Sequence, residues 1–308
     1  MCLSAVPEGV RFTADSLQEG CDARLMRRAL VLGGGGAAGI AWQVGLIAGL
    51  GREGIDLIAA DVTVGTSSGS IAAVLMHSDV PPEKLLDQQL AAVPPRAKAP
   101  RFQMSALMGQ LTELAVSASS PEEFRARVGA FARAHSPAIS PADRRAGFAA
   151  RLGTTDWPRS DLRIVAVDAD TGAVAVFTRD SGVDIVEAAS ASCALPGVWP
   201  LVTIGDHTYI DGGARGATNA DLVDDCEAVL VLAPLTPVPE GPLPTVDEEV
   251  AALRGRAAVH VIGPDEAYQK AVGDNPLDPR TFAPSARAGL ALAARVAPDA
   301  RRVWVLAG

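Results

Sequence analysis

Apolar residues fall along the chain in two kinds of run. Short blocks rich in Val, Leu and Ile recur between glycine-rich turns, and longer stretches carry apolar residues at helical spacing. Ala29-Leu30-Val31-Leu32 is the first block. It ends in Gly33-Gly34-Gly35-Gly36, and Ala37-Ala38-Gly39 leads into Ile40–Leu50, whose spacing predicts a buried helix. Asp61-Val62-Thr63-Val64 is a second, β-branched block. It closes in Gly65-Thr66-Ser67-Ser68-Gly69, and Ser70–His77 is again helical in character. Two strand–turn–helix units this close together predict an α/β fold with a mainly parallel sheet covered by helices.

Beyond residue 80 the punctuation changes. Pro81-Pro82, Pro94-Pro95 and Pro100 interrupt a helical stretch with Met104, Leu107, Met108, Leu111 and Leu114. Ser120-Pro121-Glu122-Glu123 has the cap, the first-turn proline and the acids of a helix start. Residues 80–160 are therefore expected to be a helical insertion beside the sheet. Leu162–Val167 and Ala173–Thr178 read as paired strands, and Ile185–Ser192 as a small-residue helix stopped by Leu195-Pro196-Gly197. Thr208-Tyr209-Ile210 runs into Asp211-Gly212-Gly213, while Ala228–Leu232 and Val259–Ile262 are further strands. Pro234–Pro244 reads as a surface loop and Ser285–Val296 as the closing helix. The expected organisation is an extension over 1–27, one domain over 28–298 and a tail over 299–308.

Composition narrows the class. Of 308 residues, 48% are hydrophobic but only 4% aromatic, so the core must be built from Ala, Val and Leu. A formal charge of −9 argues against a nucleic-acid partner. Cys2, Cys21, Cys193 and Cys226 show neither disulfide-scaffold density nor metal-ligand spacing. No run is long and apolar enough for a membrane span, and acids at Glu8, Asp15 and Glu19 stand where a signal peptide carries base. The expectation is a cytoplasmic protein needing no metal.

The chemistry concentrates in three places. Ser67 lies between Gly65 and Gly69 at a strand-to-helix turn, the pattern that projects a nucleophilic serine. A serine hydroxyl needs a base. His77 is ten residues on, about 15 Å along a helix, and out of reach. His260 would complete a Ser67–Asp211–His260 triad, although it sits inside an apolar strand. Asp211, before two glycines, is the other base, and desolvation can raise its basicity. The run Gly34-Gly35-Gly36-Ala37-Ala38-Gly39 fits either a dinucleotide loop or an oxyanion hole. The dinucleotide alternative lacks an acid at the end of the second strand, because Asp61 stands at its start.

The joint occurrence of these motifs resembles the patatin-like phospholipase family, bacterial members in particular. Ala189-Ser190-Ala191-Ser192, Leu195-Pro196-Gly197 and Asn275-Pro276-Leu277-Asp278 extend the likeness, which spans about residues 28–298. It implies a three-layer α/β/α sandwich and a lipid acyl hydrolase. Ser67 would be the nucleophile and Asp211 the base of a Ser–Asp dyad, with backbone N–H groups of Gly34, Gly35 and Gly36 as the oxyanion hole. Gly39, Gly65, Gly69, Gly212 and Gly213 would support the motifs. No cofactor is implied. The substrate would be a lipid or small ester, met in solution or in transient contact with a membrane surface. Ala38 stands where the family commonly has Arg or Lys, which bears on phospholipid preference. A catalytically silent binding protein of the same fold is the remaining alternative, and Met104, Leu107, Met108 and Leu111 would wall or cover an acyl pocket.

Overall fold

A computed structural model of the protein describes residues 26–91, 102–135, 137, 139–154, 156–237 and 241–305. The expected extension lies almost wholly outside them, as do Pro94, Pro95 and Pro100. In chain order the first elements are β1 (Arg28–Leu32), α1 (Gly36–Arg52), β2 (Val62–Thr66), α2 (Ser68–Met76) and α3 (Pro82–Leu90). Next come α4 (Met104–Val116), α5 (Pro121–Ala134), α6 (Pro141–Leu152), β3 (Asp161–Asp168), β4 (Val174–Phe177) and α7 (Ile185–Ser192). The chain closes with β5 (Val202–Ile204), β6 (His207–Asp211), β7 (Ala228–Leu232), α8 (Val246–Arg254), β8 (Ala258–Ile262), α9 (Glu266–Val272) and α10 (Phe282–Trp304).

The strands form one sheet in the order β5-β6-β3-β2-β1-β7-β8, with β4 also on β3. The central pairs β3/β2, β2/β1, β1/β7 and β7/β8 are parallel, whereas β4, β5 and β6 join antiparallel. Strand alternation sorts the core into two faces. Leu30 and Leu32 of β1 join α1, α2 and α10, while Ala29 and Val31 join Val246, Val250 and Leu253 of α8. Helices on both faces make the three-layer α/β/α sandwich. A third cluster packs Leu107, Leu111, Phe124 and Val128 of α4 and α5 over Val167 and Ile210. That cluster is where the helical segment meets the sheet.

Close backbone approach replaces aromatic bulk. A Cβ at Gly45 of α1 would stand 2.1 Å from the Ala286 carbonyl oxygen of α10, so the two helices pack nearly backbone to backbone. Helix α10 runs beyond residue 298, where a tail was expected to start, through Pro298 to Trp304. Ala293, Ala297, Ala300 and Trp304 stay buried along one stripe, and Trp304 Nε1 donates to the Asp56 carbonyl at 2.8 Å. That burial outweighs the cost of about 3 kcal/mol that a proline imposes inside a helix. The loop after β7 also differs from a plain surface loop, because Pro234 is buried against the glycine run.

Strand β3 is the template for the site. Ile164 and Val165 pair with both β2 and β4, and Ala166 and Val167 with both β4 and β6. Strands β2 and β6 therefore follow one another along the same edge of β3. Thr66 pairs with Val165 and Asp211 with Ala166, one step further. The register alone brings the turn after β2 against the end of β6.

Candidate active site

Ser67 sits between β2 and α2 at φ 53° and ψ −124°, a left-handed conformation costing a non-glycine residue roughly 1–3 kcal/mol. The turn is held from both sides. Ser67 N–H donates to Ser192 Oγ at 2.8 Å, and Ser70 Oγ donates to the Ser67 carbonyl at 2.6 Å. The flanking glycines are required by backbone crowding. A Cβ on Gly65 would meet Ser70 Cα at 2.7 Å, and one on Gly69 would meet the Leu32 carbonyl oxygen at 1.9 Å.

The Ser67 hydroxyl donates to Asp211 Oδ2 at 2.8 Å, and Gly213 N–H donates to Asp211 Oδ1 at 2.7 Å. Gly212 lies too near the Val165 carbonyl, 2.3 Å from an added Cβ, to carry a side chain. Asp211 is 2% exposed, and burial pushes its carboxyl up to about 7. The Gly213 amide, the Ser67 hydroxyl and the Arg144 charge act in the opposite direction. The loop after Asp211 is tied to the elbow by Asn219, whose Nδ2 donates to Thr66 Oγ1, the Gly216 carbonyl and the Gly212 carbonyl. The buried Glu249 carboxylate in turn accepts from the Thr218 and Asn219 amides and from Thr218 Oγ1.

The glycine run lies over Ser67, with an added Cβ on Gly34 only 3.5 Å from Ser67 Cβ. The three amides expected to form an oxyanion hole differ in what they contact. Gly34 N–H donates to the Ala217 carbonyl at 2.8 Å, which anchors the loop. The Gly35 and Gly36 N–H groups, at the start of α1, have no acceptor among the described residues. Gly39 approaches the elbow, an added Cβ lying 3.0 Å from Ser68 Oγ. Ala38 is fully buried, with its N–H on the Pro276 carbonyl at 3.0 Å, so the Asn275–Asp278 segment packs on this loop.

The histidines stand elsewhere. His77 bonds to Thr63 and Ser160, His207 to Asp168 and His135 to the Phe131 carbonyl. His260, on β8, pairs with Leu230 of β7 and lies three strands from β2, or roughly 14 Å at the usual strand spacing. The triad is not assembled, because β7 and β1 separate its members. The dinucleotide alternative fails similarly, since Asp61 accepts from Arg28 N–H at 2.7 Å, at the wrong end of β2.

Ser67 and Asp211 line a cavity of about 500 Å³. Met104, Leu107, Met108 and Leu111 of α4 form one wall, and Leu235, Pro237 and Leu243 another. Sequence reasoning missed Arg144, Arg151 and Trp199 in this lining. Nothing local marks the arginines, because α6 has the polar face of a solvated helix. Cys193 is also buried in the lining, and desolvation pushes its thiol up to about 12, so it stays protonated.

The α/β/α sandwich thus sets a serine turn beside a largely apolar cavity. The chain belongs to the patatin-like phospholipase family, whose model matches residues 30–224. Among solved structures it is similar to VipD from Legionella pneumophila, at 11% identity and TM-score 0.39, over 85% of this chain and 67% of that one. It is also similar to the type III effector ExoU, at 17% identity and TM-score 0.39, over 88% of this chain and 53% of that one. A complex of full-length ExoU with SpcU from Pseudomonas aeruginosa gives 19% identity and TM-score 0.36, over 85% and 52%. The chain thus spans about half the length of ExoU. No protein of curated function matches it in sequence. Among the described residues no helix is long and apolar enough to cross a membrane.

Proposed function

We propose that the protein hydrolyses carboxylic esters of lipids through a Ser67–Asp211 dyad and an acyl-enzyme. The observation that carries this is the 2.8 Å hydrogen bond from Ser67 Oγ to a buried carboxylate in the lining of the cavity. Asp211, as the carboxylate, accepts the hydroxyl proton while Ser67 Oγ attacks the ester carbonyl carbon. The Gly35 and Gly36 amides and the α1 N-terminus stabilise the oxyanion that forms. When the tetrahedral intermediate collapses, Asp211 returns its proton to the departing alcohol. Water then gives a proton to Asp211 and attacks the acyl-enzyme, and the acid leaves with Ser67 restored. The apolar walls take the acyl chain and keep bulk water from the intermediate.

The test is hydrolysis of short and long p-nitrophenyl acyl esters by the wild type, Ser67→Ala, Asp211→Asn and His260→Ala, each checked for folding by circular dichroism. Activity lost in the first two variants and kept in the third supports the dyad. Loss in His260→Ala with the fold intact would return the triad. Wild type inert on every ester would favour a binding protein of the same fold.

A further inference from the structure

Helix α6 brings positive charge into an otherwise apolar cavity. Arg144, Phe148 and Arg151 recur on one face at helical spacing, and all three line the cavity that holds Ser67 and Asp211. The Arg144 guanidinium is stacked between rings, 3.8 Å from the Trp199 centroid and 4.3 Å from that of Phe148. Arg151 lies over Phe282 at 4.9 Å and makes one long contact, 3.5 Å, to Gln89 Oε1.

What Arg144 lacks is an anion in direct contact. Its Nε is buried without a hydrogen-bond partner, and no carboxylate lies within ion-pair distance of it among the described residues. Neighbouring Arg145 illustrates the contrast, since it faces outward and pairs with Asp184 and Glu187. A planar cation held by ring stacking can present its terminal N–H groups in the plane, where they match a phosphate or carboxylate group. Partial burial strengthens any interaction it makes with an incoming anion. The Arg144 charge is also close enough to favour ionised Asp211, so the site lies near the reacting centre. The cavity thus holds a cation on the α6 wall, whereas Ala38 leaves the glycine loop without one.

We infer that Arg144, seconded by Arg151, is an anion-binding subsite of this cavity, selecting esters that carry a phosphate group beside the scissile bond. The inference rests on the acyl-hydrolase function proposed above, and a non-hydrolysable ligand separates the two. Binding of octyl phosphate and of neutral octyl glucoside, both below their micelle concentrations, is measured by calorimetry on the wild type, Arg144→Gln and Arg144→Lys. The wild type should bind octyl phosphate at least about tenfold more tightly than octyl glucoside. Arg144→Gln should lose about tenfold or more for the phosphate alone, and Arg144→Lys should recover part of it. Arg151→Gln should show a smaller loss of the same sign, which keeps the test open if Arg144→Gln does not fold. Wild type that does not prefer octyl phosphate overturns the subsite, as does an Arg144→Gln variant that binds both ligands as the wild type does.

The kinetic counterpart compares 1-octanoylglycerol 3-phosphate with 1-octanoylglycerol. Arg144→Gln should lower the preference for the phosphate-bearing ester about tenfold, mainly through KM. A loss in kcat shared equally by both esters would instead place Arg144 in the chemistry and overturn the selectivity role. Failure of the hydrolase function would leave both esters uncleaved while octyl phosphate still bound through Arg144.

Discussion

Asp211 is a carboxylate that the fold disfavours, and replacing it by Asn should stabilise the protein while removing activity. Burial raises its pKa from 3.8 to about 7. Between those values the folded chain holds a proton that the unfolded chain has released. Folding stability is therefore unpenalised at pH below about 4, falls as pH rises toward about 7, and stays lowered above that. At 1.36 kcal/mol per unit the full penalty is about 4 kcal/mol, of which about 2 kcal/mol develops between about pH 5.5 and pH 8. Asn keeps an oxygen for the Gly213 amide and an amino group for Ser67 Oγ, and carries no charge. Urea unfolding of the wild type and Asp211→Asn at pH 5.5 and 8 reads the difference directly. The variant should be more stable at both, with the margin growing by about 2 kcal/mol at the higher pH. A margin independent of pH, or a variant less stable than wild type at pH 8, would refute a desolvated carboxylate at this position.

Three further outcomes follow from the same geometry. In the proposed mechanism only ionised Asp211 accepts the Ser67 proton, so kcat/KM on a neutral ester should rise with pH through about 7 and then level; a profile already flat from about pH 5 would contradict it. Gly69→Ala should lose about 3 kcal/mol or more in thermal or urea unfolding, because its Cβ would stand 1.9 Å from the Leu32 carbonyl oxygen. Asn219→Ala removes the donor shared by Thr66, Gly212 and Gly216. It should cost about 2–3 kcal/mol of stability and lower kcat more than it raises KM, since the residue positions Asp211 without touching substrate.

Much of the site is legible in the chain because its constraints are local. Gly65, Gly69 and Gly212 are imposed by backbone atoms within a few ångströms, and a strand precedes each motif, parallel before the glycine run and the Ser67 turn and antiparallel before Asp211. What escaped depends on partners distant in sequence. The Gly34 amide is withdrawn by Ala217, which no property of the glycine run reveals. Arg144 reads as solvated until Trp199, from the segment after α7, closes over it. Strand β5 has three residues and forms only by pairing with β6. Helices α8 and α9 are short and polar, so few apolar residues mark them in the chain beside the nearly continuous apolar run of α1. Helix α10 passes Pro298 because the pocket for Trp304 is made by residues near Asp56, far upstream.

The central claim is that Ser67 is a nucleophile activated by Asp211 alone. Its most direct test is intact-protein and peptide mass spectrometry after exposure to a serine-directed fluorophosphonate at pH about 8, above the Asp211 titration. One covalent adduct is expected, located on Ser67, formed equally in His260→Ala and abolished or strongly slowed in Asp211→Asn. An adduct on another serine, or labelling of Ser67 that is indifferent to Asp211→Asn, would contradict it.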